Sequence, residues 1–174
     1  MFPSMDKPPI KARVITCSDS AVRGERADTS GPAVRELLER HGFQVDRVEI
    51  VPDSVQEISD AIASAIDIGE RRLVVTTGGT GIAPRDVTPE ATMRVADRRI
   101  DGFGELMRMR SLEKTPLATL SRAQAATRGN ALILNVPGSP KGAIENLEAV
   151  IHLLGHTLVL LEGERVDDHP GASA

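Results

Sequence analysis

Short apolar runs separated by longer amphipathic stretches constrain this chain more than any other feature. ARVIT (12–16), LVVTT (73–77) and ALILNV (131–136) are continuous aliphatic runs of strand length, and FQVDRVEIV (43–51) alternates apolar and polar positions as a half-buried strand does. Helical patterns lie between them. SGPAVRELLERHG (30–42) carries Leu37 and Leu38 on one stripe and ends at Gly42. SVQEISDAIASAIDIG (54–69) puts Ile58, Ile62, Ala65 and Ile66 on one face, and Ser54 with Glu57 has the spacing of a reciprocal capping box. TPEATMRVADRR (88–99) predicts a helix capped by Thr88, with Pro89 at the first helical position, where a missing N–H does no harm. Further helix is predicted over 101–111 and over 140–163, the latter broken or bent near Gly155. RGN (128–130) predicts a hairpin turn, and the stretch 117–130 an added antiparallel strand.

Strands alternating with helices imply parallel strands joined by crossovers, hence a three-layer α/β/α domain with a mostly parallel, mixed sheet. One such domain is expected over 11–163, preceded by a flexible arm at 1–10 with three prolines and followed by a polar, flexible tail at 164–174. Aromatic residues amount to Phe2, Phe43 and Phe103 alone, so the core must be aliphatic and base stacking is a poor basis for ligand binding. The net charge of −4 and the lack of any long Lys/Arg run argue against a nucleic-acid partner. The single Cys17 excludes an intrachain disulfide and fits a reducing compartment. No apolar leader or bilayer-length apolar run is read, so no membrane partner and a cytoplasmic location are expected.

Each strand runs directly into a polar or glycine-rich turn: TCSDS, VPDS, TTGGTG and NVPGSP. In a parallel sheet these turns share one edge, and ligands bind in the crevice outside it. Gly78, Gly79 and Gly81 can adopt positive φ and bare their N–H groups to an anion, with hydroxyls from Thr76, Thr77 and Thr80 beside them. The loop matches neither GxxxxGK[ST] nor GxGxxG, so it is another kind of anion or polar-ligand loop, or a plain strand-exit turn. Asp53 and Asp86 stand in two of the turns; beside a phosphate, their charge favours a bridging hard cation such as Mg²⁺, the alternatives being a pre-helix turn and an Asx turn. Arg85 and Lys141 are cations placed to meet ligand charge or simply to face solvent. Ser18, Asp19 and Ser20, and Pro137, Gly138, Ser139 and Pro140, are further candidate walls or ordinary turns. His152 and His156 have ligand spacing but no acidic or Cys partner nearby, and Cys17 has no assignable base.

TTGGTGIAPRDVTPEAT (76–92), with VITCSDS (14–20), IVPDS (50–54), LSRAQAATRG (120–129) and LILNVPGSPKGAIENL (132–147), closely resembles the MoaB/Mog family of molybdenum-cofactor biosynthesis proteins, also seen in the N-terminal domain of gephyrin. The blocks occur in family order and span about residues 12–163. The resemblance implies a three-layer α/β domain that uses ATP and Mg²⁺ to adenylylate the terminal phosphate of molybdopterin, releasing pyrophosphate. It implies a trimer, or a hexamer of trimers, that hands its product to a molybdenum-insertion protein. It assigns Asp53 and Asp86 as the functional, metal-associated carboxylates and Gly78, Gly79, Thr80 and Gly81 as lining the pterin and nucleotide pocket. Ser18, Asp19, Ser20, Gly138 and Ser139 follow as further walls; Thr77, Pro137 and Lys141 are expected to bind substrate from their own places as hydroxyl donor, turn residue and cation. The direct passage from NVPGSPKGAIENL to HLLGHTLVLLEG resembles the shorter, B-type branch. A molybdopterin carrier or regulator, or an oligomeric scaffold of the same fold, are the competing readings.

Overall fold

The computed structural model describes residues 8–163; the segments 1–7 and 164–174, which hold most of the expected arm and the expected tail, lie outside the described residues. Within 8–163 the elements are β1 (Lys11–Cys17), α1 (Asp19–Val22), α2 (Ser30–Arg40), β2 (Gln44–Val51), α3 (Val55–Asp67), β3 (Leu73–Thr77), α4 (Thr88–Val95), β4 (Arg98–Ile100), α5 (Asp101–Leu112), β5 (Gln124–Arg128), β6 (Ala131–Val136) and α6 (Pro140–Leu161), with a 3₁₀ helix at Pro116–Leu120.

The six strands form one sheet in the order β2-β1-β3-β6-β5-β4. β2, β1, β3 and β6 pair in parallel, while β5 is antiparallel to both β6 and β4, so the sheet is mixed as expected. The hairpin turns at Gly129, whose φ of 54° a side chain rarely adopts.

Strand periodicity explains the two cores. Ala12, Val14, Leu73, Val75, Leu132, Leu134 and Val136 point to the face covered by α2, α5 and α6. Ile15, Cys17, Val74 and Ile133 point to the opposite face, under α3 and α4. β3 is buried throughout, which requires helices on both sides. Each fully buried Leu or Ile of these strands contributes about 1.5–3 kcal/mol. One polar device crosses the second core: Asn135 Nδ2 donates to the hydroxyls of Thr76 and Thr92, both at 2.9 Å, tying α4 to β3 and β6.

Several local expectations are corrected. The arm does not extend to residue 10, since Ile10 packs on the first core and its carbonyl accepts from Gln44 N–H at 2.9 Å. Only half of the capping box forms: Ser54 Oγ accepts from Glu57 N–H at 3.5 Å, whereas the Ser54 N–H goes to Pro52 O. Thr88 is the first residue of α4 and not its cap; its hydroxyl donates instead to Gly78 O at 2.8 Å. α4 also stops at Val95, because 98–100 pair with β5 as a short edge strand that propensity alone does not announce. α6 runs unbroken through Gly155. By length and composition its 22 residues would span a bilayer, contrary to the sequence reading; here Leu147, Val150, Leu154 and Leu158 are buried in the first core.

Candidate active site

The chain goes from β1 to its neighbour β2 on one side, then crosses to β3 on the other, so the strand order reverses at the β1/β3 boundary. The crevice outside the carboxyl ends of these strands is where such sheets bind ligands. A cleft of about 230 Å³ opens there, with walls from the exits of all four parallel strands: Cys17 and Ser18, Asp53, Gly78 and Gly79, Gly138 and Ser139.

The glycine turn is tight for steric reasons. Gly78 has φ of 107°, and a Cβ there would lie 2.3 Å from Cys17 O. A Cβ on Gly79 (φ 63°) would lie 2.3 Å from Thr88 Oγ1 and 3.5 Å from Asp53 Oδ1. Gly81 needs its missing side chain too, because a Cβ would stand 2.6 Å from Asp86 Oδ2. Bare backbone lets two carboxylates close around one loop.

Not all of that backbone is available to a ligand. The Gly78 N–H continues the β3–β6 ladder to Val136 O at 3.1 Å, which removes it from the expected donors. The Thr77 hydroxyl is also committed, donating to Pro137 O at 2.7 Å and lying 2.9 Å from Ser30 Oγ. Thr80 is buried and stands outside the cleft walls, its carbonyl accepting from Arg122 N–H. The N–H groups of Gly79, Thr80 and Gly81 have no hydrogen-bond partner among the described residues.

Asp53 and Asp19 hold each other through the backbone. Asp19 N–H donates to Asp53 Oδ2 at 2.9 Å and Asp53 N–H to Asp19 Oδ1 at 3.0 Å, joining the exits of β1 and β2. Arg85 then reaches across from the 81–87 loop to Asp19 Oδ2, with Nε at 3.0 Å. That guanidinium holds the Asp19 carboxyl below the usual carboxylate range, helped by the Asp53 hydrogen bond. Asp53 shifts the other way: burial pushes its carboxyl up, and the neighbouring charges of Asp19 and Asp86 add to it. Asp86 Oδ2 accepts from Ala83 N–H at 2.8 Å, which fixes the carboxylate inside a one-turn loop. Burial pushes the Cys17 thiol up to about 12, so it is an inert wall and not a nucleophile.

The remaining sequence candidates divide. Ser18 caps α1, accepting from Ala21 N–H at 3.2 Å, and its hydroxyl lies 3.1 Å from that of Ser20, one residue behind the wall. Ser139 caps α6 toward Gly142 N–H at 3.1 Å, beside Gly138 and Pro137. Lys141 sits in the first turn of α6 with its side chain 84% exposed, outside the cleft walls. The opposite wall, Arg26 to Ser30, escaped sequence reading. Its signal was topological: the connector leaving β1 must start on the same edge as the other turns. Arg26 is the one guanidinium in the walls, and it makes no side-chain ion pair among the described residues.

The carboxylates suit a hard cation of the magnesium type. Among the described residues no three ligand side chains form a cage, but Asp53 and Asp86 face one cleft, and the charge of Asp86 adds to the cost of ionising Asp53. Magnesium is commonly held this way, by one or two carboxylates with substrate phosphates completing its shell.

Residues 13–156 match the family model described as "Probable molybdopterin binding domain". The chain belongs to the MoaB/Mog family. A Helicobacter pylori (strain J99) protein named molybdopterin adenylyltransferase is 43% identical over 152 residues, 86% of each chain. An Escherichia coli K12 protein of the same name is 39% identical over 176 aligned positions, 92% of this chain and 90% of that one. The solved structure of the molybdopterin biosynthesis enzyme MoaB from Thermus thermophilus superposes with a TM-score of 0.84 at 48% identity, covering 89% of this chain and 98% of that one. The tungsten cofactor synthesizing MoaB of Pyrococcus furiosus superposes with a TM-score of 0.78 at 36% identity, covering 87% and 99%.

Proposed function

We propose that this MoaB/Mog protein is a molybdopterin adenylyltransferase of molybdenum-cofactor biosynthesis, transferring AMP from ATP to the terminal phosphate of molybdopterin. An oxygen of that phosphate attacks the α-phosphorus of ATP, the bond to the bridging oxygen breaks, and pyrophosphate leaves. The nucleophile is already an anion, so no protein base or nucleophile is required, which agrees with the inert Cys17 thiol. What the protein must supply is alignment of two polyanions and relief of their repulsion.

One observation carries the reading: Asp53 and Asp86 converge on a glycine turn at the switch point of a chain 39–43% identical to proteins named molybdopterin adenylyltransferase. The free N–H groups of Gly79 to Gly81 supply preorganised donors to phosphate oxygens. Arg26 offsets charge from the wall, and Arg85 can exchange Asp19 for a phosphate at the mouth. Asp53 and Asp86 would hold Mg²⁺, which would supply positive charge to offset that of the phosphates. In this reading the protein works in the cytoplasm as a trimer or hexamer and passes the adenylylated pterin to a molybdenum-insertion protein.

The test compares Asp53→Asn and Asp86→Asn with wild type for adenylylated pterin formed per minute, alongside molybdopterin binding. Both variants should bind pterin and lose product formation by at least about 100-fold. Wild-type turnover in either variant removes the role assigned to that carboxylate.

A further inference from the structure

The 80–86 loop carries Asp86 into the cleft, yet it has no anchor of its own in either core. Ile82 is 68% exposed, and Ala83, Pro84 and Arg85 face solvent. Hydrophobic burial therefore does not hold it. At its start, Thr88 fixes Gly78 O through the hydroxyl and Gly79 O through the N–H, at 2.8 and 3.1 Å. Beyond Gly79 two residues of distant segments hold the loop: Asp19, through the exposed side chain of Arg85, and Arg122, which takes the backbone at both ends. Arg122, between the 3₁₀ helix and β5, donates its own N–H to Thr80 O and its Nε to Gly81 O, both at 2.7 Å. Its Nη2 donates to Asp86 O, and its Nη1 pairs with Glu90 in the first turn of α4.

We infer that Arg122 is a positioning residue: it staples the two ends of the 80–86 loop together and so sets where the Asp86 carboxylate stands. The geometry suits arginine specifically. Three acceptors in different directions need a planar fork of several donors, which a lysine ammonium on a flexible stem does not reproduce. Arg122 stands outside the cleft walls, so it acts on the reaction through Asp86 and not by touching substrate. The loop reports its own state through two amides, because Ala83 N–H donates to Asp86 Oδ2 and Asp86 N–H to Ala83 O, at 2.8 and 2.9 Å.

The consequence for turnover rests on the adenylyltransferase reading; the consequence for the loop does not. Full-length wild type, Arg122→Lys and Arg122→Gln are compared by amide hydrogen exchange. In both variants the Ala83 and Asp86 amides should exchange at least about tenfold faster, a loss of local protection, while amides of β1, β3 and β6 keep their wild-type rates. In the adenylylation assay kcat should fall about 30- to 100-fold, with KM for molybdopterin within about threefold, as expected for a catalytic group displaced by about an ångström. In an Asp86→Asn background Arg122→Gln should cost less than about a further twofold, since two groups acting as one unit are not additive. Unchanged Ala83 exchange in both variants overturns the inference, as does acceleration spread through the whole sheet. A full second loss in the Asp86→Asn background also overturns it. If wild type makes no adenylylated pterin, the proposed reaction fails on its own, and Ala83 exchange still decides the role of Arg122.

Discussion

Replacing Gly81 with alanine isolates the position of one carboxylate from the integrity of the fold. Gly81 is not among the residues with positive φ, so an alanine adds no backbone strain there. The new methyl would stand 2.6 Å from Asp86 Oδ2, where ordinary contact begins near 3.4 Å, so that oxygen must retreat by about 0.8 Å (3.4 minus 2.6). A misplacement of about 1 Å at a reacting centre costs about 100-fold, so about 0.8 Å predicts a fall in kcat of about 40-fold. Stability should hardly move. Weakening the Ala83–Asp86 hydrogen bond costs about 1 kcal/mol, and removing glycine from the unfolded chain returns about 0.4–1 kcal/mol. The expected shift in Tm is then within about 4 °C. The assay is adenylylated pterin detected by mass, with urea unfolding on the same preparation. Wild-type kcat in Gly81→Ala would refute the placement of Asp86 at the reacting phosphates. Gross unfolding would show that the loop serves the fold first.

Asp53→Asn should abolish turnover without destabilising the protein near neutral pH. Because the folded carboxyl titrates above its ordinary value of 3.8, its contribution to wild-type stability is fully present below that pH and is lost as pH rises through the folded value. The asparagine variant should lack this decline and be the more stable of the two at pH 7, read by urea denaturation across pH 3–7. Cys17, 4% exposed with its thiol pushed up to about 12, should resist iodoacetamide in the native protein at pH 8 and react fully in urea; rapid native alkylation would contradict its burial. Burial pushes the Asp46 carboxyl up, but hydrogen bonds from Arg13 and Arg71 outweigh it and hold the group below 3.8. Asp46→Asn should therefore destabilise by about 1–3 kcal/mol, since it leaves Arg13, at 7% exposure, with only the longer 3.4 Å pair to Glu49, and wild type should lose stability in the same direction as pH falls below 3.8.

Much of this architecture was legible in the chain because each parallel strand announces itself twice, by its aliphatic run and by the loaded turn after it. The run LVVTT followed by TTGGTG gave both β3 and the cleft beyond it. What stayed illegible was set by tertiary context. β4 is three residues whose strand state exists only through pairing with β5. Thr88 carries every mark of a helix cap, yet its hydroxyl is drawn to Gly78 O, a group placed there by the glycine turn. Gly78 and Thr77 read as ligand donors, but the ladder to Val136 and the carbonyl of Pro137 had already taken them. Arg26 and Arg122 were missed for opposite reasons. Arg26 stands in a connector without a motif, and Arg122 stands inside a family block but its side chain reaches partners 32 to 41 positions away.

The most direct test of the central claim is pyrophosphate release from ATP and Mg²⁺ by the purified chain, measured with and without molybdopterin, with the pterin product identified by mass. The account predicts release that requires molybdopterin and matches adenylylated pterin mole for mole. Tight pterin binding with no release would contradict it, leaving a carrier whose glycine turn binds and whose two carboxylates do no chemistry.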